Sequence, residues 1–534
     1  MALLARIPPK QQLLPIDLVT PGSRGLNTVQ AGALIGAEYA TTALNAVIDT
    51  SGRLSARNGV ATQTTTPVAG NLTIKTIFEY VVGDGTYQQI VAWNGGISKN
   101  IINPNLNSIV GTASVANGRW FLRNFNNKLI GFQAGQKPAR YTSAGGTLDT
   151  VVESSGTWSL GSGVGCVAFG RVWAVKQSDG QTIEYSGLLD ETDRGSPSSG
   201  LIDMHTIWAD GTDQVTAIFA FNAALVVCGQ RHIVMFTDGR GSMLGLDPTQ
   251  AYVFDIITGT GCLSQWTVDY IGESDVVFLA PNGVQSLSRL TQDRSNPTGS
   301  LTKFVRDTLL SNYSGETSTN VTGSYNPLEG KYVLAFPLSK IVWCLDMRRR
   351  YADDVQNLCC PVTTWSMEVD AVGQMHTTGS ANMTSMYIAR TPGTIALYTG
   401  NSDEGAQYNF QYVSPWMSFN QQEGEQVSVR LKMLKRFEAI LFTGGNATVN
   451  FLWNVDFGNS PGIASFAVAG TGVNSQYGLG QYGVSQYGGS QNLTILKYDA
   501  RARGQYYQIG ITTAVASSFS VQQIQLATKI GRVA

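Results

Sequence analysis

The chain has 534 residues and a formal charge of −1, from 36 basic and 37 acidic residues, so no global basic field draws it to nucleic acid. Apolar residues make up 43% of the chain and charged residues only 14%, with 59 glycines, a composition that suits a turn-rich all-β protein. No run of about 18 apolar residues occurs, which excludes a membrane-spanning helix. Two readings fit the low charge: a surface largely covered in an assembly, or β-rich faces that use Thr and Gln in place of charges.

Residues 1 to about 70 are read as an opening segment that supplies platform or docking contacts. Pro8, Pro9, Pro15 and Pro21 disfavour a long early helix, and the N-terminus lacks the apolar core of a signal peptide. Ala43–Asp49, a turn at Thr50-Ser51-Gly52, and Arg53–Val60 then predict a strand pair.

From 71 to 400 one phrase recurs about seven times: an apolar strand, a turn, and a second apolar strand. Its copies fall at 78–80 and 90–93, 120–122 and 129–132, 167–169 and 172–175, 218–221 and 225–227, 268–271 and 276–279, 323–325 and 332–335, and 386–388 and 395–398. A spacing of about 40–60 residues fits one four-stranded blade per repeat, the longer steps carrying insertions, and predicts a β-propeller of about seven blades. Asp179-Gly180, Asp210-Gly211, Asp238-Gly239, Asn282-Gly283 and Pro392-Gly393 supply the turns. One helix is expected over Ser300–Leu310, where residues 301, 304, 305 and 309 make an apolar stripe.

From 401 to 534 the gaps lengthen. Strand patterns at 439–442, 447–453 and 505–511 predict a separate β-sandwich-like domain. Within it Gln-Tyr-Gly occurs three times at a constant step, at Tyr477, Tyr482 and Tyr487. Tyrosine offers a broad contact face with a polar tip, so this segment is either an exposed adhesive loop or a plain linker.

Residues for chemistry are sparse. The three histidines, His205, His232 and His376, lack metal-ligand spacing and are expected to be structural. Gly458-Asn459-Ser460-Pro461-Gly462 matches a nucleophile-elbow pattern, but Pro461 and the weakly helical residues after it predict an ordinary loop. Gly478–Gly483 matches a dinucleotide-binding pattern without a βαβ context. Asp190-Glu191-Thr192-Asp193 and Asp353-Asp354 are the densest acidic clusters, the carboxylates from which a glycosidase could be built. The six cysteines, Cys166, Cys228, Cys262, Cys344, Cys359 and Cys360, are expected to be buried free thiols in a protein made in a reducing cytoplasm. Arg348, Arg349 and Arg350 form the sharpest basic cluster, with Asp353-Asp354 close behind. A second lies at Arg430, Lys432, Lys435 and Arg436. Such clusters contact DNA phosphates or neighbouring subunits, or form ordinary surface ion pairs. The chain is read as no enzyme, with no cofactor and no metal.

In phrase and order the chain resembles the tail nozzle proteins of short-tailed bacteriophages, the tail tubular protein B or packaged-DNA stabilisation family. The resemblance rests on the opening phrase Ala43-Leu44-Asn45-Ala46-Val47-Ile48-Asp49-x-x-Gly52-x-Leu54-x-x-Arg57-x-Gly59, on Gly170-Arg171-Val172-Trp173 leading to Glu184–Asp190, on Asp210–Ile218, and on Gly259-Thr260-Gly261-Cys262 followed by Ala280–Val284. Leu345-Asp346 with Trp365 and the Gln-Tyr-Gly segment also fit. The resemblance implies a non-enzymatic virion subunit, assembled in the host cytoplasm. It would form a homo-hexameric ring below the head-to-tail adaptor, hold genomic DNA until ejection, and carry tail fibres or a needle. Arg348, Arg349, Arg350, Tyr477, Tyr482 and Tyr487 are candidate contact residues. The competing expectation is a phage receptor-binding or glycan-degrading propeller.

Overall fold

The computed structural model describes residues 14–208, 211, 213–238, 246–293, 299–353, 357–377, 384–418, 430–458, 460–468 and 492–533. The chain divides into two compact units. One comprises residues 61–360 and 366–398, the other residues 1–60, 361–365 and 399–534. No helix among the described residues is long and apolar enough to cross a membrane.

The first unit is a β-propeller. Its first blade is Ile74–Val81, Tyr87–Trp93 and Gly96–Ser98, and its second is Phe121–Phe125, Lys128–Phe132, Ala139–Tyr141 and Leu148–Thr150. The third runs Gly161–Ala168, Arg171–Lys176, Thr182–Tyr185 and Gly200–Asp203, and the fourth Ala217–Phe221, Ala224–Cys228, His232–Thr237 and Tyr252–Thr258. A fifth holds Asp269–Ile271, Asp275–Ala280 and Gly283–Ser286. The closing blade joins Ala371–His376, Thr384–Arg390 and Thr394–Tyr398 to Val60–Thr62, a strand from the far N-terminal side of the sequence. Six sheets therefore stand alone as blades. The remaining phrase forms an antiparallel triple, Thr322–Asn326, Lys331–Phe336 and Ile341–Asp346, which is part of a larger sheet. Its first strand packs against the first strands of the fifth and closing blades, and the closing blade meets the first blade to complete the ring.

Apolar strands with tight turns produce this pattern because each blade buries both faces against its neighbours. Trp173, Ile183 and Val175 of the third blade pack with Ile218, Val227 and Val234 of the fourth, for example. The turns follow the sequence reading: Gly180 and Gly393 adopt φ of 64° and 79°. The expected helix starts later than its stripe suggested. Lys303–Val305 is a 3₁₀ turn and Arg306–Ser314 the α-helix, with Leu301, Val305 and Leu309 buried. A second short helix, Leu287–Gln292, follows the fifth blade directly; Ser286 caps it by accepting the Arg289 N–H.

The second unit is a β-sandwich, and it corrects the expected boundaries. The opening segment is not a domain of its own, because its strands join those of the C-terminal segment. Ala46–Ile48, Leu54–Ala56, Phe519–Val533, Arg430–Thr443 and Asn492–Tyr498 lie in that order in one sheet. Leu14–Val19 pairs with Phe519–Val533. The opposing strands are Thr42–Leu44, Tyr408–Val413, Tyr507–Val515, Ala447–Val455 and Gly462–Val468. Aromatic rings join the two layers: Phe437 meets Phe451 at 4.2 Å and Phe410 meets Phe519 at 5.1 Å.

The opening phrase is the joint of this unit. Asn45 sits in the left-handed region at φ 52°, donates its amide to Asn409 O at 2.7 Å, and accepts from Arg57 Nε at 3.1 Å. Asp49 closes the hairpin turn by accepting the N–H groups of Ser51 and Arg53 and the Arg53 guanidinium. Arg57 is fully buried. It grips Asp403 through two bonds of 2.9 and 2.6 Å, donates to Asn58 O, and stacks over the Tyr408 ring at 4.0 Å. Gly59 is required by close approach, since a Cβ there would lie 2.1 Å from Ser402 O.

Candidate functional site at the centre of the propeller

The first strands of successive blades surround the propeller axis, and two cavities lie among them. One, of about 390 Å³, is walled by Lys75–Glu79, Arg119–Asn124, Gln265, Trp266, Val268, Asp269, Thr322–Ser324 and Ala371–Gln374. The other, of about 520 Å³, faces the third and fourth blades, and Gln265 and Trp266 line both. Gln265 acts as a spare backbone unit: its amide accepts the Ile218 N–H at 3.0 Å and donates to Ile218 O at 2.9 Å.

Arg119 staples the centre. More than nine-tenths buried, it donates one terminal nitrogen to Lys75 O and the other to Val321 O, both at 2.7 Å, and stacks over the Trp266 ring at 4.9 Å. Three parts of the ring are thus tied by one side chain. Both acceptors are neutral carbonyls, and withdrawal from water lowers the guanidinium pKa to about 9. Arg123 lies over Phe121 at 4.0 Å and donates to Leu122 O. Asp269 accepts the N–H groups of Tyr270 and Tyr325 at 2.8 and 2.7 Å, and withdrawal from water raises its carboxyl above the usual range.

Side chains singled out from the sequence lie elsewhere. Arg348 is held by Asp346 and Arg350 by Asp275 at 3.1 Å, so these guanidiniums pair within the chain. Asp353 takes Lys303 and Asn357, and Asp354 lies outside the described residues. Tyr477, Tyr482, Tyr487 and Gly478–Gly483 also lie outside them. The acidic loop is structural. Glu191 is buried between Lys128 at 2.7 Å and Arg140 at 3.0 Å, while Asp193 gathers the hydroxyls of Ser155 and Ser196, which lower its pKa to about 2. His232 pairs with Asp213 at 3.0 Å, where Asp213 also holds the N–H groups of Gln230 and Arg231 across a turn. His376 pairs with Glu79 at 2.7 Å, linking the closing blade to the first. The nucleophile-elbow match leads straight into the strand Gly462–Val468, with no helix after it. All six cysteines are free and buried, as expected.

Arg119, Arg123, Trp266 and the Arg57–Asp403 pair escaped the sequence reading. The one available signal was an arginine directly before the apolar strand core at 120–122.

No family model matches the sequence, and no curated protein matches it. Similarity to solved structures is confined to the fold. A computationally designed protein, Ika8, is 10% identical with a TM-score of 0.33, over 67% of this chain and 99% of that one. Hsv2 of Kluyveromyces lactis is 10% identical with a TM-score of 0.32, over 51% and 82% of the two chains. PorZ, a surface component of the type-IX secretion system of Porphyromonas gingivalis, is 10% identical with a TM-score of 0.35, over 66% of this chain and 42% of its own.

Proposed function

We propose that the chain is a structural virion subunit, a tail nozzle protein that assembles as a six-fold ring below the head-to-tail adaptor and closes the DNA exit path until ejection. The observation that carries this reading is the opening phrase. Of the positions on which the resemblance rests, Asn45, Asp49, Gly52, Arg57 and Gly59 turn that segment or join it to residues 399–409, and Leu54 is buried in its strand opposite Val521. The acids that a glycan-cleaving propeller would use are bound to the protein's own donors, which favours the structural reading over the catalytic one.

In such a ring the DNA path would lie outside the propeller. The axial cavity of about 390 Å³ has room for roughly a dozen waters at ~30 Å³ each, and Arg119 crosses it. A duplex would therefore pass between subunits, along the six-fold axis, and not through a propeller. A nearly neutral wall suits rapid passage, because each Lys or Arg placed on the phosphates adds grip.

The test is the absolute mass of the purified protein by light scattering, alone and with candidate phage adaptors. Conversion to a six-copy complex on an adaptor supports the nozzle. A chain that stays monomeric with every adaptor, or that cleaves a capsular glycan, overturns it.

A further inference from the structure

The centre of the propeller holds more donors than the protein satisfies. Arg119 Nε and Trp266 Nε1 are both buried in the wall of the 390 Å³ cavity with no partner among the described residues, and so are both amide atoms of Gln374. Such atoms also occur elsewhere in the protein, Arg171 Nε and Trp343 Nε1 among them, but here four gather around one cavity, and because each one left unmatched costs free energy, together they point to an occupant. The charge balance indicates its sign. Arg119 and Arg123 both line the cavity and donate to backbone carbonyls, and of the two only Arg123 also feels a carboxylate, the charge of Asp269. The two acids in the same wall are already engaged: Asp269 by the N–H groups of Tyr270 and Tyr325, and Glu79 by His376. Phe121 and the Trp266 ring, edge to face at 6.4 Å, give the cavity an apolar side as well.

We propose that this cavity is a binding site for a small organic anion, a carboxylate or phosphate carried on a compact apolar body. The arginines would take the oxygens, Trp266 Nε1 and the Gln374 amide would complete the hydrogen bonds, and the aromatic wall would cover the apolar part. A volume of about 390 Å³ lies at the small end of ordinary ligand sites. The site is independent of the nozzle reading, since it needs only the propeller.

The test uses the full chain and two probes, benzoate and inorganic phosphate, with binding followed by calorimetric titration. Benzoate is expected to bind saturably with a Kd of about 1 mM or tighter, and phosphate more weakly. Arg123→Gln, which leaves the contacts of Arg119 in place, and Trp266→Phe, which removes the indole N–H but keeps an aromatic ring under Arg119, are each expected to weaken benzoate about tenfold or more while the protein's own melting transition stays put. Tighter binding of phosphate than of benzoate would overturn the apolar part of the proposal. No saturable binding of either probe, or binding unchanged in both variants, would overturn the site altogether and leave the cavity to water.

Discussion

Asp403→Ala tests the joint of the sandwich. The substitution removes two of the four hydrogen bonds of Arg57, leaving a guanidinium of zero side-chain exposure with only Asn45 and Asn58 O as partners. Removing one member of a buried ion pair costs about 3–5 kcal/mol, and the low end applies because Asp403 keeps 17% exposure. For a unit of about 200 residues, about 3 kcal/mol lowers the transition by roughly 6–12 °C. Scanning calorimetry of the whole chain reads this directly, because two units allow separate transitions and only the one containing the sandwich should move. Arg57→Met leaves Asp403 within reach of water, so the double variant should cost at least about 1 kcal/mol less than the sum of the singles. The reasoning fails if Asp403→Ala melts within about 2 °C of the parent, or if the two changes add.

Glu191→Gln removes the buried anion that Lys128 and Arg140 share, and should destabilise the propeller by about 2–4 kcal/mol without altering any adaptor binding, as read by denaturant unfolding alongside a docking assay. Asp193, whose folded pKa is depressed from 3.8 to about 2, contributes stability that is present above pH 3.8 and lost as pH falls towards 2. Asp193→Asn should flatten that acid limb in melts taken across the window. Burial pushes the thiols of Cys262 and Cys359 up to about 12 and 11. A water-soluble disulfide reagent should therefore leave all six cysteines untouched in the native protein and titrate six after denaturation; rapid native labelling would contradict the burial.

The blades were legible because their signal is local: apolar strands separated by Gly turns, such as the phrase from Val167 to Val175, state the hairpin within ten residues or so. The unit boundary was not, because it depends on Arg57 meeting Asp403 across 346 residues, and neither residue's neighbourhood names the other. The same distance explains why the opening strands were read as a separate segment. The axial site was hidden for a related reason. Arg119, Asp269 and Gln374 come from different blades, each an ordinary polar residue in its own stretch, and only closure of the ring sets them around one cavity. For the charged clusters the structure shows the ion-pair alternative at Arg348 and Arg350. Arg348–Arg350 and Asp190–Asp193 stand out because they are dense in sequence, yet density reported intrachain pairing and turn-building.

The strand Val60–Thr62, seated on Thr394–Tyr398, imposes a schedule on synthesis. That strand leaves the ribosome early, and its partner follows more than three hundred residues later, about 20–70 s at common translation rates. Until then the ring stays open at the closing blade, and the sandwich lacks the strands beyond residue 399 that its early strands require. Neither unit matures on a half-made chain. Such long-range pairing makes folding slow, and it ties the maturity of both units to the arrival of the late strands.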